Sequence, residues 1–347
     1  RVRVDDVVRG LVLHAGGLAR VVIGPLLFLR PALQPVAEVR RRVGRNLVAE
    51  QVERLVALPS VRAQLGWVLD GWFGGTGVLG RAKDPELFPT YDAELSQSLW
   101  QSKNRFIEQL MWETEGGLAE LFTSNQIWVD ARLAAFLSLP APSSAEWELV
   151  NAPANERAGI LTHPALMAQL ASTDETSVVH RGLFLYNVVL CLPMAAPPEG
   201  AVEEGLAVAA QLEDERQRAA YRAEQPTCGV CHTMFDPYGL VFERYDAAGR
   251  YLVDADASGG VSLPASIAGE YTDATELMTR LATAPELAAC ASRQLVSYAL
   301  EAVAGRAEDC VVQQVHERFA SSRGTLVDLF RSLAAAPALY QRTESSP

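Results

Sequence analysis

Residues 228 to 232 read Cys-Gly-Val-Cys-His, two cysteines separated by two residues with a histidine directly after the second. That order is the attachment signature of c-type haem. Two thiols at this spacing can add to the vinyl groups on one edge of a porphyrin. The adjacent imidazole of His232 can then swing beneath the ring as the proximal iron ligand. Other chemistries share the Cys-x-x-Cys half. A structural zinc site needs a second ligand pair, whereas Cys191, Cys290 and Cys310 are scattered singly and no His-x-x-x-His occurs. A dithiol redox site should open a helix after a strand, and here a polar stretch, Glu213 to Pro226, precedes the motif. Haem c, with its iron, is therefore the expected cofactor.

The residues after His232 supply candidate cover for the ring. Phe235, Pro237, Tyr238 and Leu240 are the expected cofactor-lining residues, with Met234 and Phe242 as further apolar neighbours. Asp236-Pro237 followed by Gly239 reads as turn chemistry that would fold the chain back over the porphyrin. Glu243 and Asp246 could accept from Arg244 or Arg250, or orient the imidazole of His232 through its second nitrogen. The distal ligand stays open among Met278, His163 and His180. Met167 and Met194 rank behind them, and His316 reads as a surface residue. Water, or Tyr221 nearby, is the alternative.

Haem is attached covalently outside the cytoplasm, so the motif predicts a periplasmic or cell-surface protein, a compartment that also permits disulfides. Cys290 and Cys310 flank an expected helix and its exit loop and are predicted to pair, leaving Cys191 as a buried thiol. Three ordinary buried cysteines are the alternative.

At 347 residues the chain can bury a sizeable core, and 49% hydrophobic with 21% charged residues is a globular composition. Its net charge of −12 speaks against a nucleic-acid partner and suits either docking to a basic redox protein or simple solubility. The charge is uneven. In residues 1–45 nine arginines stand against Asp5, Asp6 and Glu38, a net of +6 that leaves −18 for the remainder. The apolar run Leu11 to Leu29 is broken by His14, Arg20 and glycines, and it reads neither as a clear membrane span nor as an intact signal peptide. The chain is expected to begin inside a longer protein, whose missing N-terminal region would carry any export signal or membrane association.

The elements that must position these groups are mostly helical. Apolar residues recur at three- and four-residue steps through Leu47, Val48, Val52, Leu55 and Val56, and again through Val61, Leu65, Val68 and Leu69. A long helix is predicted from about Thr90 to Glu113, with Leu95, Leu99, Phe106, Leu110 and Met111 on its buried stripe. A further helical pair should run to Leu137. Trp67, Trp72, Trp100, Trp112 and Trp128 read as core anchors. Residues 138–158 read as a loop, Val178 to Pro193 as a helix, and Leu206 to Glu224 as a charged helix leading into the motif. Tyr251 to Ile267 suits a β-hairpin turning at Ser258-Gly259-Gly260, and helices return from Thr272 to Tyr340. The expected class is mainly α: a basic, apolar segment at 1–45, a helical domain at 46–193, a linker at 194–204, a small cytochrome c-like haem domain with a short hairpin at 205–271, and C-terminal helices at 272–347.

Several stretches together resemble the haem-associated bacterial domains of unknown function 1592, 1588 and 1585, which occur in tandem within large exported proteins. The stretches are QVERLVALPSVRAQLGWVLDGWF from Gln51, LFTSNQIWVDARLAAFLSLP, RGLFLYNVVLCLP, CGVCHTMFDPYGLVFERYDAAGRY, and ACASRQLVSYALEAVAGRAEDC with the closing LFRSLAAAPALYQR. They cover about residues 50 to 342. The family often carries a histidine six or seven residues before the first haem cysteine, where this chain has Tyr221. The resemblance implies an exported haem c protein that passes single electrons to a partner protein or a sibling cytochrome module. A haem peroxidase or oxidase is the enzyme alternative, although no distal His-Arg pair stands at recognisable spacing. A helical docking scaffold with a structural haem is the third reading. No Gly-x-Ser-x-Gly, His-Glu-x-x-His, Gly-x-Gly-x-x-Gly or Walker sequence is present to support hydrolysis or nucleotide binding.

Overall fold

The computed structural model describes residues 45–339 apart from 145, 199, 202–204, 206–210, 213 and 301–307. The basic segment before residue 45, with its apolar run, lies outside the described residues. The described chain is mainly α, as expected, with two short antiparallel hairpins. The described residues divide into two compact units, one within 70–287 and one made of 45–69 together with the described part of 288–339. Among the described residues no helix is long and apolar enough to cross a membrane.

In the first unit in chain order, α1 (Arg45–Val56) and α2 (Pro59–Trp72) begin the fold, and Pro59 sits at the first helical position of α2. The C-terminal helices α11 (Pro285–Leu300), α12 (Asp309–Ala320) and α13 (Leu326–Ala334) follow the expected pattern. Thr325 and Asp328 form a capping box that starts α13. Arg331 of α13 holds Glu53 of α1 with two bonds of 2.7 and 2.8 Å. Both side chains are partly exposed, so this pair adds at most about 1 kcal/mol.

In the larger unit, α3 (Ala93–Trp112) is the spine. Asp92 caps its first turn, and Leu95, Leu99, Phe106, Leu110 and Met111 are all buried, as their spacing predicts. The second part of the pair expected to run to Leu137 takes a different form. After α4 (Leu118–Thr123) the chain extends as β1 (Gln126–Val129), enters α5 (Ala131–Leu137), and returns as β2 (Glu148–Asn151) within the stretch read as loop. β1 and β2 pair antiparallel, Gln126 opposite Asn151 and Val129 opposite Glu148. Four-residue strands are too short for an alternating pattern to stand out in sequence. Ile127 and Val129 point into a core shared with Leu95, Leu99, Leu133, Ala165, Ala168, Ala247 and Ala248.

Trp67 corrects a sequence expectation, since its side chain is 52% exposed instead of anchoring the core. Trp72 and Trp128 are half-buried and donate to the Val188 carbonyl and to Gln109 Oε1, respectively. The rest of the larger unit comprises α6 (Pro164–Gln169), α7 (Val178–Leu183), α8 (Glu215–Glu224), α9 (Pro226–Leu240), β3 (Gly259–Val261), β4 (Gly269–Tyr271) and α10 (Ala274–Leu281). α7 runs on through Phe184–Val189 in one wide turn, closed where the Leu190 N–H reaches back to the Leu185 carbonyl at 3.0 Å. A short hairpin forms here but is displaced from the expected Tyr251–Ile267: β3 pairs with β4, Gly259 opposite Tyr271 and Val261 opposite Gly269, so Gly259 and Gly260 lie within a strand instead of forming the turn. Glycine is needed at 259 because a β-carbon there would stand 2.6 Å from the Pro237 carbonyl oxygen.

Candidate functional site: the Cys228, Cys231 and His232 face of α9

Pro226 fixes where the candidate site begins. Its ring disfavours helical geometry for the residue before it, so Gln225 is extended and α8 ends at Glu224. Pro226 then serves as the first residue of α9, where its missing N–H costs nothing. The two helices pack closely at this corner. A β-carbon at Gly229 would lie 2.5 Å from the Ala223 carbonyl oxygen, so the glycine inside the pentapeptide is required by this close approach.

Cys228, Cys231 and His232 fall at positions i, i+3 and i+4 of α9 and therefore share one face. All three are half-buried, both thiols are free, and Val230 between them projects outward at 69% exposure. The imidazole is held from behind. His232 Nδ1 lies 3.1 Å from Asp236 Oδ1, and Asp236 Oδ2 accepts from Arg222 Nε of α8 at 2.8 Å. A carboxylate already receiving the guanidinium acts as acceptor, so the imidazole donates through Nδ1 and turns its other nitrogen, Nε2, away from Asp236. A metal-binding histidine is commonly oriented in this way by a carboxylate on its other nitrogen.

The network extends beyond Asp236. Arg222 lies 3.6 Å from Glu215, which pairs with Arg218 at 3.0 Å, and Arg218 reaches Glu175 at 2.6 Å. Alternating charges thus run from the loop before α7 through α8 to His232.

The Asp236-Pro237-x-Gly239 turn expected from the sequence does not form. All four residues lie inside α9, and the chain bends only after Leu240. Helix packing overrides the local turn preference. β-Carbons at Gly239 and Gly182 would meet the Val178 and Phe235 carbonyl oxygens at 2.0 and 2.2 Å, so these glycines let α7 and α9 touch backbone to backbone. Proline inside a helix ordinarily carries a penalty because it removes one ladder bond. Pro237 stands one turn from the end of α9.

Of the expected lining residues, Phe235 reaches the imidazole, with ring centroids 4.7 Å apart. Tyr238 is fully buried and turned edge-on to Tyr186, at 6.1 Å. Burial raises its phenol pKa well above the usual value. Pro237 and Leu240 are half-buried. The five-residue step from His232 places Pro237 on a different side of the helix.

The expected orienting pairs also rearrange. Asp246 does bind Arg250, at 2.7 Å, closing its own loop, but Glu243 instead faces Arg181 at 3.4 Å. Arg244 donates to the Tyr251 hydroxyl at 3.0 Å. Asp236 holds His232 in their place. Its spacing of four residues from His232 would have identified it, had the helix been read through Pro237.

The candidate distal ligands differ in placement. Met278 is fully buried in α10, which packs on α4. His163 caps α6 and has both nitrogens engaged: Nδ1 accepts from the Ala165 N–H at 3.2 Å, and Nε2 lies 3.1 Å from Ser102 Oγ. Ser102 spends its own proton on the Trp128 carbonyl at 2.6 Å, so Nε2–H is the donor to its oxygen. His180 alone of the three reaches solvent, on α7. Burial and the Arg81 guanidinium lower its pKa, while Glu215 opposes them. Among the described residues no three His, Cys, Asp or Glu side chains are grouped to hold a bare metal ion.

His163 makes stability pH-dependent. Burial, with Arg157 and Lys103 nearby, holds its pKa well below 6.5, so the folded state keeps it neutral while the unfolded chain protonates. Stability is unaffected above that value and falls below it, by about 1.4 kcal/mol per pH unit. Urea unfolding of His163→Asn, which preserves a capping side chain, should show a shallower decline from about pH 6 to 5 than the wild type. Parallel declines would refute this account.

The predicted Cys290–Cys310 bridge is not formed. Cys310 is a free, exposed thiol on the side of α12 opposite the buried Val312, Val315 and Phe319. Cys290 is buried and disulfide-bonded, and Cys191, expected as a free thiol, is disulfide-bonded as well.

Three families match the chain in succession: the proteins of unknown function DUF1592 over residues 33–139, DUF1588 over 157–254 and DUF1585 over 269–339. The chain is a tandem of these three domains. The DUF1592 match begins at residue 33, before Gln51, and so takes in the end of the basic segment at 1–45. The DUF1588 domain starts at 157, so it unites α6 and α7 with the Cys228–His232 helix. The glycine-mediated contact of α7 with α9 is thus internal to one domain. No curated protein and no solved structure matches the chain.

Proposed function

We propose that this protein is an exported c-type haem protein whose function is one-electron transfer to a redox partner protein or a sibling cytochrome module. The observation that carries the reading is the single face of α9 on which two free thiols and an imidazole held through Nδ1 by Asp236 stand together. The donor set fits haem c. Cys228 and Cys231 would each add S–H across a vinyl double bond, sulfur taking one carbon and hydrogen the other, with no net oxidation. His232 would offer Nε2 to iron, and Phe235 would cover one side of the imidazole. Bound haem would supply a one-electron iron couple. Thioether formation implies maturation outside the cytoplasm, consistent with the paired cysteines elsewhere in the chain.

Expression with a complete haem c maturation system tests the proposal. Intact-protein mass spectrometry should show one added haem mass that survives denaturation and is lost in Cys228→Ser/Cys231→Ser. Absence of added mass in the wild type would end the reading.

A further inference from the structure

We infer that Asp236 and Arg222 form a positioning pair that sets the electron-donating strength of His232, with opposite effects on the reduction potential of the site. The inference rests on the haem reading above and goes beyond it, because nothing in the Cys-x-x-Cys-His signature specifies what stands behind the imidazole. The observations are direct. Asp236 is 3% exposed, its Oδ1 is 3.1 Å from His232 Nδ1, and its Oδ2 accepts from Arg222 Nε at 2.8 Å. Arg222 also faces Glu215 at 3.6 Å.

A buried carboxylate that accepts the Nδ1 proton draws that proton toward itself and leaves more electron density on Nε2. A ligand of this kind favours the oxidised metal, and the carboxylate charge acts in the same sense through a low-dielectric interior. Arg222 works against both effects. Its guanidinium takes up part of the carboxylate's accepting capacity and adds a positive charge on the far side. The pair therefore behaves as a graded control: Asp236 lowers the potential, and Arg222 limits how far it falls. The placement of the pair supports a tuning role, because one member sits on α9 with the ligand and the other on α8, joined to it through the Gln225-Pro226 corner.

The test is a spectroelectrochemical titration of the matured, haem-loaded protein and two variants. Asp236→Asn should raise the midpoint potential, and Arg222→Gln should lower it. A purely structural pair would loosen the same α8–α9 contact in both variants and move the two potentials in the same direction. Shifts of the same sign, or no shift in either variant, would overturn the inference. Should Asp236→Asn fail to accumulate as loaded protein, Arg222→Gln decides alone: a fall supports the inference, and a rise or no change refutes it. Failure of the parent reading has a different signature, since the wild type would then carry no covalent haem to titrate.

Discussion

Replacing Lys103 with methionine should destabilise the protein by about 3–5 kcal/mol, because it strands a buried carboxylate. Lys103 is fully buried on α3, and its ammonium lies 2.9 Å from Asp70 Oδ1. It also donates to the Phe73 and Gly75 carbonyls at 3.0 and 2.9 Å. Those carbonyls follow the end of α2, where a cation is favoured by the helix dipole. Burial lowers the Lys103 pKa and Asp70 raises it, with burial prevailing. Loss of the lysine leaves the charge of Asp70, itself 2% exposed, without its cation. Urea denaturation should show the full loss for Lys103→Met and a partial recovery in Lys103→Met/Asp70→Leu. A single-variant loss under about 1 kcal/mol would show that the pair is not an energetic keystone.

Gly239→Ala should be comparably severe, at roughly 3 kcal/mol, near the upper end for overpacked cores. The added methyl would stand 2.0 Å from the Val178 carbonyl oxygen and 2.6 Å from its carbon, and neither belongs to a flexible side chain. α7 and α9 would have to separate. Gly80→Ala is the matched control, since a β-carbon there meets nothing within 4 Å, and it should stay within about 1 kcal/mol of wild type. Near-equal stability of the two variants would refute the proposed backbone contact. Separation of the helices should also shift Phe235, whose carbonyl faces Gly182 and whose ring lies against His232.

These two sites show which features were legible in the sequence. The buried stripe of α3 was, because Leu95, Leu99, Phe106 and Leu110 repeat at helical spacing and nothing competes with that signal. The thiols and imidazole were legible because their spacing is itself the chemistry. Asp236 was not, because Asp-Pro-x-Gly carries a strong local turn preference that favours a break in the helix. What overrides that preference is the contact of Gly239 with Val178, sixty-one residues away in the chain. A long-range backbone contact leaves no periodic trace, and a glycine selected for proximity looks in sequence like one selected for a turn. β1 and β2 were hidden for a related reason, since their pairing is fixed by register across the intervening α5 and not by either short segment alone. Cys310 shows the same limit: its distance from Cys290 along the chain fits a bridge, but the face of α12 on which it sits does not.

The corner between α8 and α9 makes the two spacer positions of the pentapeptide unequal. A β-carbon at position 229 would stand 2.5 Å from a neighbouring carbonyl oxygen, so that position admits hydrogen alone, while the side chain at 230 extends into water. A tag, a crosslinker or a charged anchor for an electrode surface could therefore be installed at 230, one residue from Cys231, without disturbing the helix junction. The same chemistry at 229 would force the two helices apart.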